Sequence, residues 1–299
     1  MVAVAAPAPN RVRAFMRLVM IEHSIFALPF AYVAALAAMR LESGRVAWDT
    51  LILITLAMVA ARTVAMAANR IIDRRIDAQN PRTASRELVT GVVTLRTAWV
   101  GLVLSLLIFE VTAAALNPLC LLLSPVALFL LVIYSYAKRF TNYPQLFLAA
   151  AQAVAPVGAW VGVTGTWSWP AFVLGVAVGA WIGGFDCIYA CQDVEADRRI
   201  GIGSVPVRHG VRGALVISAL THVVTVLLYV WFGILADLGW LWYVGVAVTA
   251  GVLIYEHAIV KPSDLSRVNR AFFTANGVIG IVLFAFALLD LVALGGLRP

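Results

Sequence analysis

Two nine-residue runs hold most of the residues in this chain that could do chemistry. The first reads Asn69-Arg70-Ile71-Ile72-Asp73-Arg74-Arg75-Ile76-Asp77, the second Tyr189-Ala190-Cys191-Gln192-Asp193-Val194-Glu195-Ala196-Asp197. In each, two aspartates stand four residues apart. On a helix of about 3.6 residues per turn that spacing sets both carboxylates on one face, Cβ atoms about 5–6 Å apart. Glu195 points well away from the face shared by Asp193 and Asp197 and is left out of it. Clustered carboxylates are hard oxygen ligands, and Mg²⁺ is usually held by a few of them together with substrate phosphates. Asn69, Asp73, Asp77, Asp193 and Asp197 are therefore the candidate metal ligands. The arginines interleaved with the first run point to a diphosphate, its charge shared between metal and guanidinium.

Membrane helices must position these runs. The chain has 299 residues, 63% hydrophobic and 12% charged, with a mean hydropathy of +0.95, outside the balance of a soluble domain. A hydrocarbon core of about 30 Å needs about 20 helical residues. Nine runs meet that need, at 19–39, 47–68, 96–116, 119–137, 145–165, 169–190, 212–234, 239–260 and 271–293. The expected fold is an all-α integral membrane protein, nine helices in a single domain, with residues 1–10 a disordered N-terminal segment. Outside the spans or at their first residues, 18 Lys and Arg fall on the side of the N-terminus and three on the other. The positive-inside rule then puts the N-terminus and both acidic runs in the cytoplasm. The net charge of +7 is accounted for by topology and implies no nucleic-acid partner. No cleavable signal peptide precedes the first span. Cys120, Cys187 and Cys191 show no metal spacing and read as small buried hydrophobes.

The acidic runs stand about 120 residues apart, each followed by an arginine-bearing stretch, a weak internal repeat that suggests two helical halves facing one cavity. Arg62 and Asp186 lie seven residues before Asn69 and Asp193, about 10 Å deeper on the same faces. Intramembrane charges face a polar cavity or a partner. Either the two form a structural ion pair, or Arg62 serves the phosphates and Asp186 the acceptor. Lys138 and Arg139 end the fourth span, where they either anchor it to the interface or bind phosphate; their nearness to the acids favours phosphate. Glu22 and His23 open the first span ahead of Pro29. His209, His222 and His257 share no spacing and read as non-ligands, and Glu110 has no evident role.

At these residues the chain resembles the UbiA superfamily of intramembrane prenyltransferases. Asn69/Asp73/Asp77 match its Asn-x3-Asp-x3-Asp motif, and Asp193/Asp197 its later Asp-x3-Asp. Arg82-Thr-Ala-Ser-Arg86, Tyr134-x3-Lys138-Arg139 before Pro144-Gln145, Asp186-x2-Tyr189-Ala190, Ile200-Gly201-Ile202-x-Ser204 and Arg270-Ala-Phe-x3-Asn276-Gly277 extend the likeness over nearly the whole chain, toward the 4-hydroxybenzoate polyprenyltransferase branch. The resemblance implies a helical bundle around a cavity open to the cytoplasmic interface and to lipid. Two Mg²⁺ ions on Asp73 and Asp193 and their neighbours would hold a polyprenyl diphosphate, with Lys138, Arg139 and Arg74 or Arg82 sharing its charge. Tyr189 and Asp186 would stand where the allylic cation meets an aromatic acid.

One stretch departs from that branch. Ile21-Glu22-His23-Ser24-Ile25-Phe26-Ala27-Leu28-Pro29 is similar to the futalosine-route menaquinone prenyltransferases, which makes Glu22 and His23 acceptor residues and a dihydroxynaphthoate the expected acceptor. The alternative is 4-hydroxybenzoate, as in ubiquinone synthesis. Arg outnumbers Lys 20 to 2, in keeping with a GC-rich bacterial genome and a bacterial plasma membrane. A transporter is the remote rival, but transport sites lie near the bilayer midplane, whereas these acids gather at one interface. The Asp-Gly-x2-Ala-Arg run of CDP-alcohol phosphotransferases is absent.

Overall fold

The computed structural model describes residues 11–19, 24–271 and 276–298. Among these there is no sheet, only isolated bridges between Arg45 and Arg298 and between Lys261 and Asp264. The helices are α1 (Arg11–Leu18), α2 (Ser24–Glu42), α3 (Trp48–Asp77), α4 (Leu95–Leu116), α5 (Pro118–Ala137), α6 (Pro144–Thr164), α7 (Trp169–Tyr189), α8 (Val194–Ile200), α9 (Val205–Leu235), α10 (Trp240–Ile259), α11 (Val268–Arg270) and α12 (Asn276–Leu289). A 3-10 turn, Ala190–Asp193, joins α7 to α8, and a π-turn, Asp290–Leu294, extends α12.

Eight helical stretches among the described residues are long and apolar enough to cross a membrane, not the nine expected. The expected first span, 19–39, falls on α2, which is not among the eight, and residues 20–23 lie outside the described segments. Other differences are at helix ends. α3 runs 30 residues, about 45 Å, past the apolar stretch that predicted it, so its last turns and the first acidic run stand beyond a core of about 30 Å. α9 starts seven residues earlier than its apolar run. Ser204 caps it by accepting from Val207 N, Pro206 fits its first turn, and a break at Gly210 (φ 72°, ψ 168°) re-aims the chain. Arg208, His209 and Arg212 hide that opening turn from a hydropathy scan.

α7 is the inner helix. In its apolar window 72% of residues are buried, against 17% in α4 and 11% in α5, whose Leu104, Val111, Leu122 and Phe129 face outward as a lipid-exposed hairpin. Gly175, Gly179 and Gly183 recur every fourth residue on the α7 face toward α6. A Cβ on Gly179 would meet Ala149 O at 2.5 Å, and one on Gly175 would meet Val157 Cγ2 at 2.7 Å. Between membrane helices, where lipid offers no hydrophobic drive to associate, small residues of this kind permit backbone approach and close van der Waals packing. The stripe ends beside the second acidic run, so it also sets how near the start of α6 comes to Asp186. Asn117 secures the opposite end: it caps α5 by accepting from Cys120 N at 2.9 Å and donates to Val161 O of α6 at 2.8 Å.

Gly179→Val is expected to force α6 from α7 and to cost about 1–3 kcal/mol, read as a lowered thermal transition in detergent. Gly158→Ala, where a Cβ meets nothing within 4 Å, is expected to leave the transition unmoved. Equal shifts would show that the close approach is not what holds the pair.

Candidate active site

The ends of α3, α5 and α7 meet the starts of α6 and α9 at one end of the bundle, around a polar cavity of about 200 Å³. Asn69, Asp73, Asp77, Asp193 and Asp197 all line it, so the two runs, 120 residues apart in sequence, face one space. Glu195 is exposed and absent from the wall. The second run is not one continuous α-helix: the 3-10 turn ends at Asp193, and Asp197 belongs to α8. Pro144, Gln145, Gly203 and Ser204 place the N-terminal ends of α6 and α9 in the same wall, adding the positive ends of two helix dipoles. Gly203 N donates to Lys138 O at 2.9 Å, and a Cβ there would overlap Thr141 O, so the loop after the second run is pressed against the α5–α6 turn.

Three of the four cavity aspartates are answered by cations. Asp73, 1% exposed, accepts from Lys138 Nζ at 2.5 Å and Arg139 Nη2 at 2.9 Å. Asn69 Nδ2 adds a bond to Asp73 Oδ2 at 3.0 Å and one to Ser135 Oγ at 3.3 Å. Arg86 Nη1 holds Asp77 Oδ1 at 2.6 Å. Arg82 takes Asp193 with two prongs, Nε to Oδ1 at 2.9 Å and Nη2 to Oδ2 at 2.5 Å, while Asn80 Nδ2 donates to Oδ1 at 3.1 Å. Burial pulls the Arg82 guanidinium down, but the hydrogen bonds and charge of Asp193, with Tyr189 and Asp197 behind it, raise it overall, so it stays cationic. Asp197 has no ion pair among the described residues.

The remaining candidates divide. Lys138, Arg82, Asp186 and Tyr189 line the cavity. Arg139 backs Asp73 from outside the wall and is tied to Ser135 O at 2.7 Å and Ile72 O at 2.9 Å. Arg74 does not reach the cavity; its Nε donates to Leu88 O at 3.2 Å and braces the segment 78–94. Arg62 is also outside the wall, with Nε buried and unpartnered and the Tyr134 phenol within electrostatic reach. Among the described residues it makes no ion pair with Asp186, which shares the cavity wall with Gln145. Glu22 and His23 lie outside the described residues.

Sequence reasoning missed Asn80, Thr83, Arg86, Tyr134 and Gln145 as wall residues. Arg86, Tyr134 and Gln145 stood inside quoted motifs, a signal that was available; Asn80 reaches Asp193 across 113 positions, which no local pattern reports. His222 and His257, without shared spacing, meet at 2.9 Å between ring nitrogens, and Glu110 accepts from Ser124 Oγ at 2.8 Å. Cys187 and Cys191 are buried, but Cys120 is only half-buried. Cys120 lines a second cavity of about 310 Å³ between α3, α4, α5 and α6, walled by Ala57, Ala61, Phe109, Leu130, Val154 and Gly158. It opens about two turns deeper along α3 than Asn69.

Among the described residues no three Asp, Glu, His or Cys side chains converge on one point as metal ligands do. The donor set nevertheless suits Mg²⁺: four carboxylates and an amide, all oxygen donors, on the wall of one cavity, held apart by the cations that answer them.

The helical membrane bundle thus holds a polar, cation-lined cavity at one end and an apolar cavity deeper along α3. The chain belongs to the UbiA prenyltransferase family, whose model matches residues 27–278. It is 31% identical over 275 residues to a 4-hydroxybenzoate octaprenyltransferase of Vibrio campbellii, covering 92% of this chain and 96% of the relative. Among solved structures, a UbiA homologue from Aeropyrum pernix K1 superposes with a TM-score of 0.82 at 36% identity, covering 91% of this chain and 98% of that one. A homologue from Archaeoglobus fulgidus, bound to DMAPP and Mg²⁺, shares the fold at 20% identity with a TM-score of 0.71, covering 94% and 99%. The chain is a multi-span membrane prenyltransferase.

The unequal pairing of the acids predicts unequal stability effects. Asp73→Asn removes the negative charge that two cations share and replaces one of its two acceptor oxygens with a donor, and is expected to cost about 1–3 kcal/mol. Asp197→Asn is expected to stay within about 0.5 kcal/mol. Thermal unfolding of the two variants in detergent checks the order; similar losses would contradict it.

Proposed function

We propose that the protein transfers a polyprenyl group from a polyprenyl diphosphate to an aromatic acid of the 4-hydroxybenzoate kind, at the cytoplasmic face of a bacterial plasma membrane. The observation that carries this reading is the meeting of both acidic runs and their cations on one cavity, with an apolar cavity beside it. The acceptor follows the relatives, named 4-hydroxybenzoate octaprenyltransferases, in preference to the dihydroxynaphthoate expected from the Glu22–Pro29 stretch. The 18-to-3 division of basic residues supports the orientation.

Asn69, Asp73 and Asp77 would hold one Mg²⁺, and Asp193 with Asp197 another, as the Mg²⁺-bound Archaeoglobus homologue encourages. Bound there, Mg²⁺ would supply charge to the diphosphate oxygens. Lys138, Arg82 and Arg86 would take the remaining phosphate charge and stabilise the leaving group as the C1–O bond breaks. The chain's tail would lie in the apolar cavity, which keeps water from the allylic cation. Tyr189 and Tyr134, both on the cavity wall, would stand close to that cation, which the acceptor ring would attack before losing a proton. Asp186, beside Gln145 on the cavity wall, would bond the acceptor hydroxyl, and Arg62, whose buried Nε has no partner, would answer its carboxylate from two turns below the phosphate site. Arg62 is thereby moved from phosphate to acceptor.

The test offers purified protein one labelled polyprenyl diphosphate, Mg²⁺ and a panel of aromatic acids, with products identified by mass. Prenylated 4-hydroxybenzoate is expected; exclusive prenylation of a dihydroxynaphthoate would overturn the acceptor, and no product from any acid the reading as a whole. Asp73→Ala and Asp193→Ala are expected to lower turnover by about 10²-fold or more. Gly158→Leu, which fills the apolar cavity, is expected to impair long donors while sparing DMAPP; equal loss with both would remove the tail from that cavity.

A further inference from the structure

We propose that Arg82 is an exchangeable counter-ion: it holds Asp193 and passes to the phosphate oxygens when a metal and a diphosphate enter together, coupling the binding of the two. This rests on the diphosphate reading above. Both oxygens of Asp193 are engaged by one guanidinium, at 2.9 and 2.5 Å. A divalent cation reaching Asp193 needs an oxygen at about 2.0–2.1 Å, so the like charge has to withdraw.

Arg82 is built to do so. It springs from the segment 78–94 between α3 and α4, and its side chain is 37% exposed against 13% for Asp193. It already rests on Tyr189, with the guanidinium carbon 5.2 Å from the ring centroid and Nη1 3.2 Å from the hydroxyl, so it can leave the carboxylate without leaving the cavity wall. Asp193 keeps a neutral partner afterwards, since Asn80 Nδ2 stays at 3.1 Å. Arg139 on Asp73 differs, because Ser135 O and Ile72 O also hold it. Asp197, without an ion pair, is the acid a metal meets first. Metal alone must then displace Arg82 with nothing to receive it, whereas a diphosphate receives it, and the coupling is reciprocal by linkage.

The experiment follows Mn²⁺ binding by electron paramagnetic resonance to the full chain in nanodiscs, with and without inorganic pyrophosphate. In the wild type, pyrophosphate is expected to tighten Mn²⁺ by about tenfold or more. Arg82→Gln is expected to bind Mn²⁺ alone about fivefold more tightly than wild type and to gain less from pyrophosphate. A residue that only binds phosphate would leave the metal-only affinity unchanged, and that result overturns the exchange. Should Arg82→Gln lose its thermal transition, Arg82→Lys, which keeps the charge without the two-pronged pair, decides the matter in the same way. No effect of pyrophosphate on Mn²⁺ in the wild type would overturn the diphosphate reading, and the exchange with it.

Discussion

Carboxylates withdrawn from water at the end of a membrane bundle need compensating charge, and that need organises this molecule. An uncompensated buried acid is costly enough that it protonates or finds a cation. Asp73, Asp77 and Asp193 find Lys138 with Arg139, Arg86 and Arg82, drawn from the end of α5 and the segment after α3. Of those pairs, Arg82 with Asp193 ties the first half of the bundle to the second at its polar end, while the others knit α3 to the end of α5 and to the segment that follows α3. They also leave the cavity stocked with charges of both signs, which is what a metal-bound diphosphate requires: acids for the metal, cations for the phosphates.

Two packing features make the charge arrangement possible. The glycine stripe on α7 lets α6 approach until Gln145 and Asp186 share the cavity wall, and the seat of Gly203 against Thr141 brings the loop after the second run onto Lys138. Neither feature touches phosphate chemistry directly. Both set distances that the chemistry depends on, because interhelical separation changes by whole side-chain layers when a small residue is enlarged.

Polarity is divided by depth along α3. Its last turns carry the acids beyond the apolar core, Arg62 stands two turns below them, and Ala57 and Ala61 open onto the apolar cavity. Along α3 the polar cavity comes first and the apolar cavity deeper, with Arg62 level with the latter. The order follows from one helix running about 45 Å through environments of falling dielectric constant.

The sequence by itself determined the fold class, the family resemblance and the five acid and amide residues that share the cavity wall. Each rests on local information: apolar run length for spanning helices, and i, i+4 spacing for carboxylates on one face. Helix ends were less readable, since charged residues at 69–77 and 205–212 mask turns that continue past the apolar stretch, and eight of the nine expected spans have counterparts among the described residues. Only the tertiary structure decided which cation serves which acid, that Arg82 rather than Arg74 enters the cavity, that Gln145 and not Arg62 shares the cavity wall with Asp186, and that Asn80 reaches Asp193. These are contacts across as many as 113 positions, set by how helices pack and not by what any one helix contains. A lone Arg, Gln or Asn carries no periodic signal, so its partner is settled only when the bundle closes.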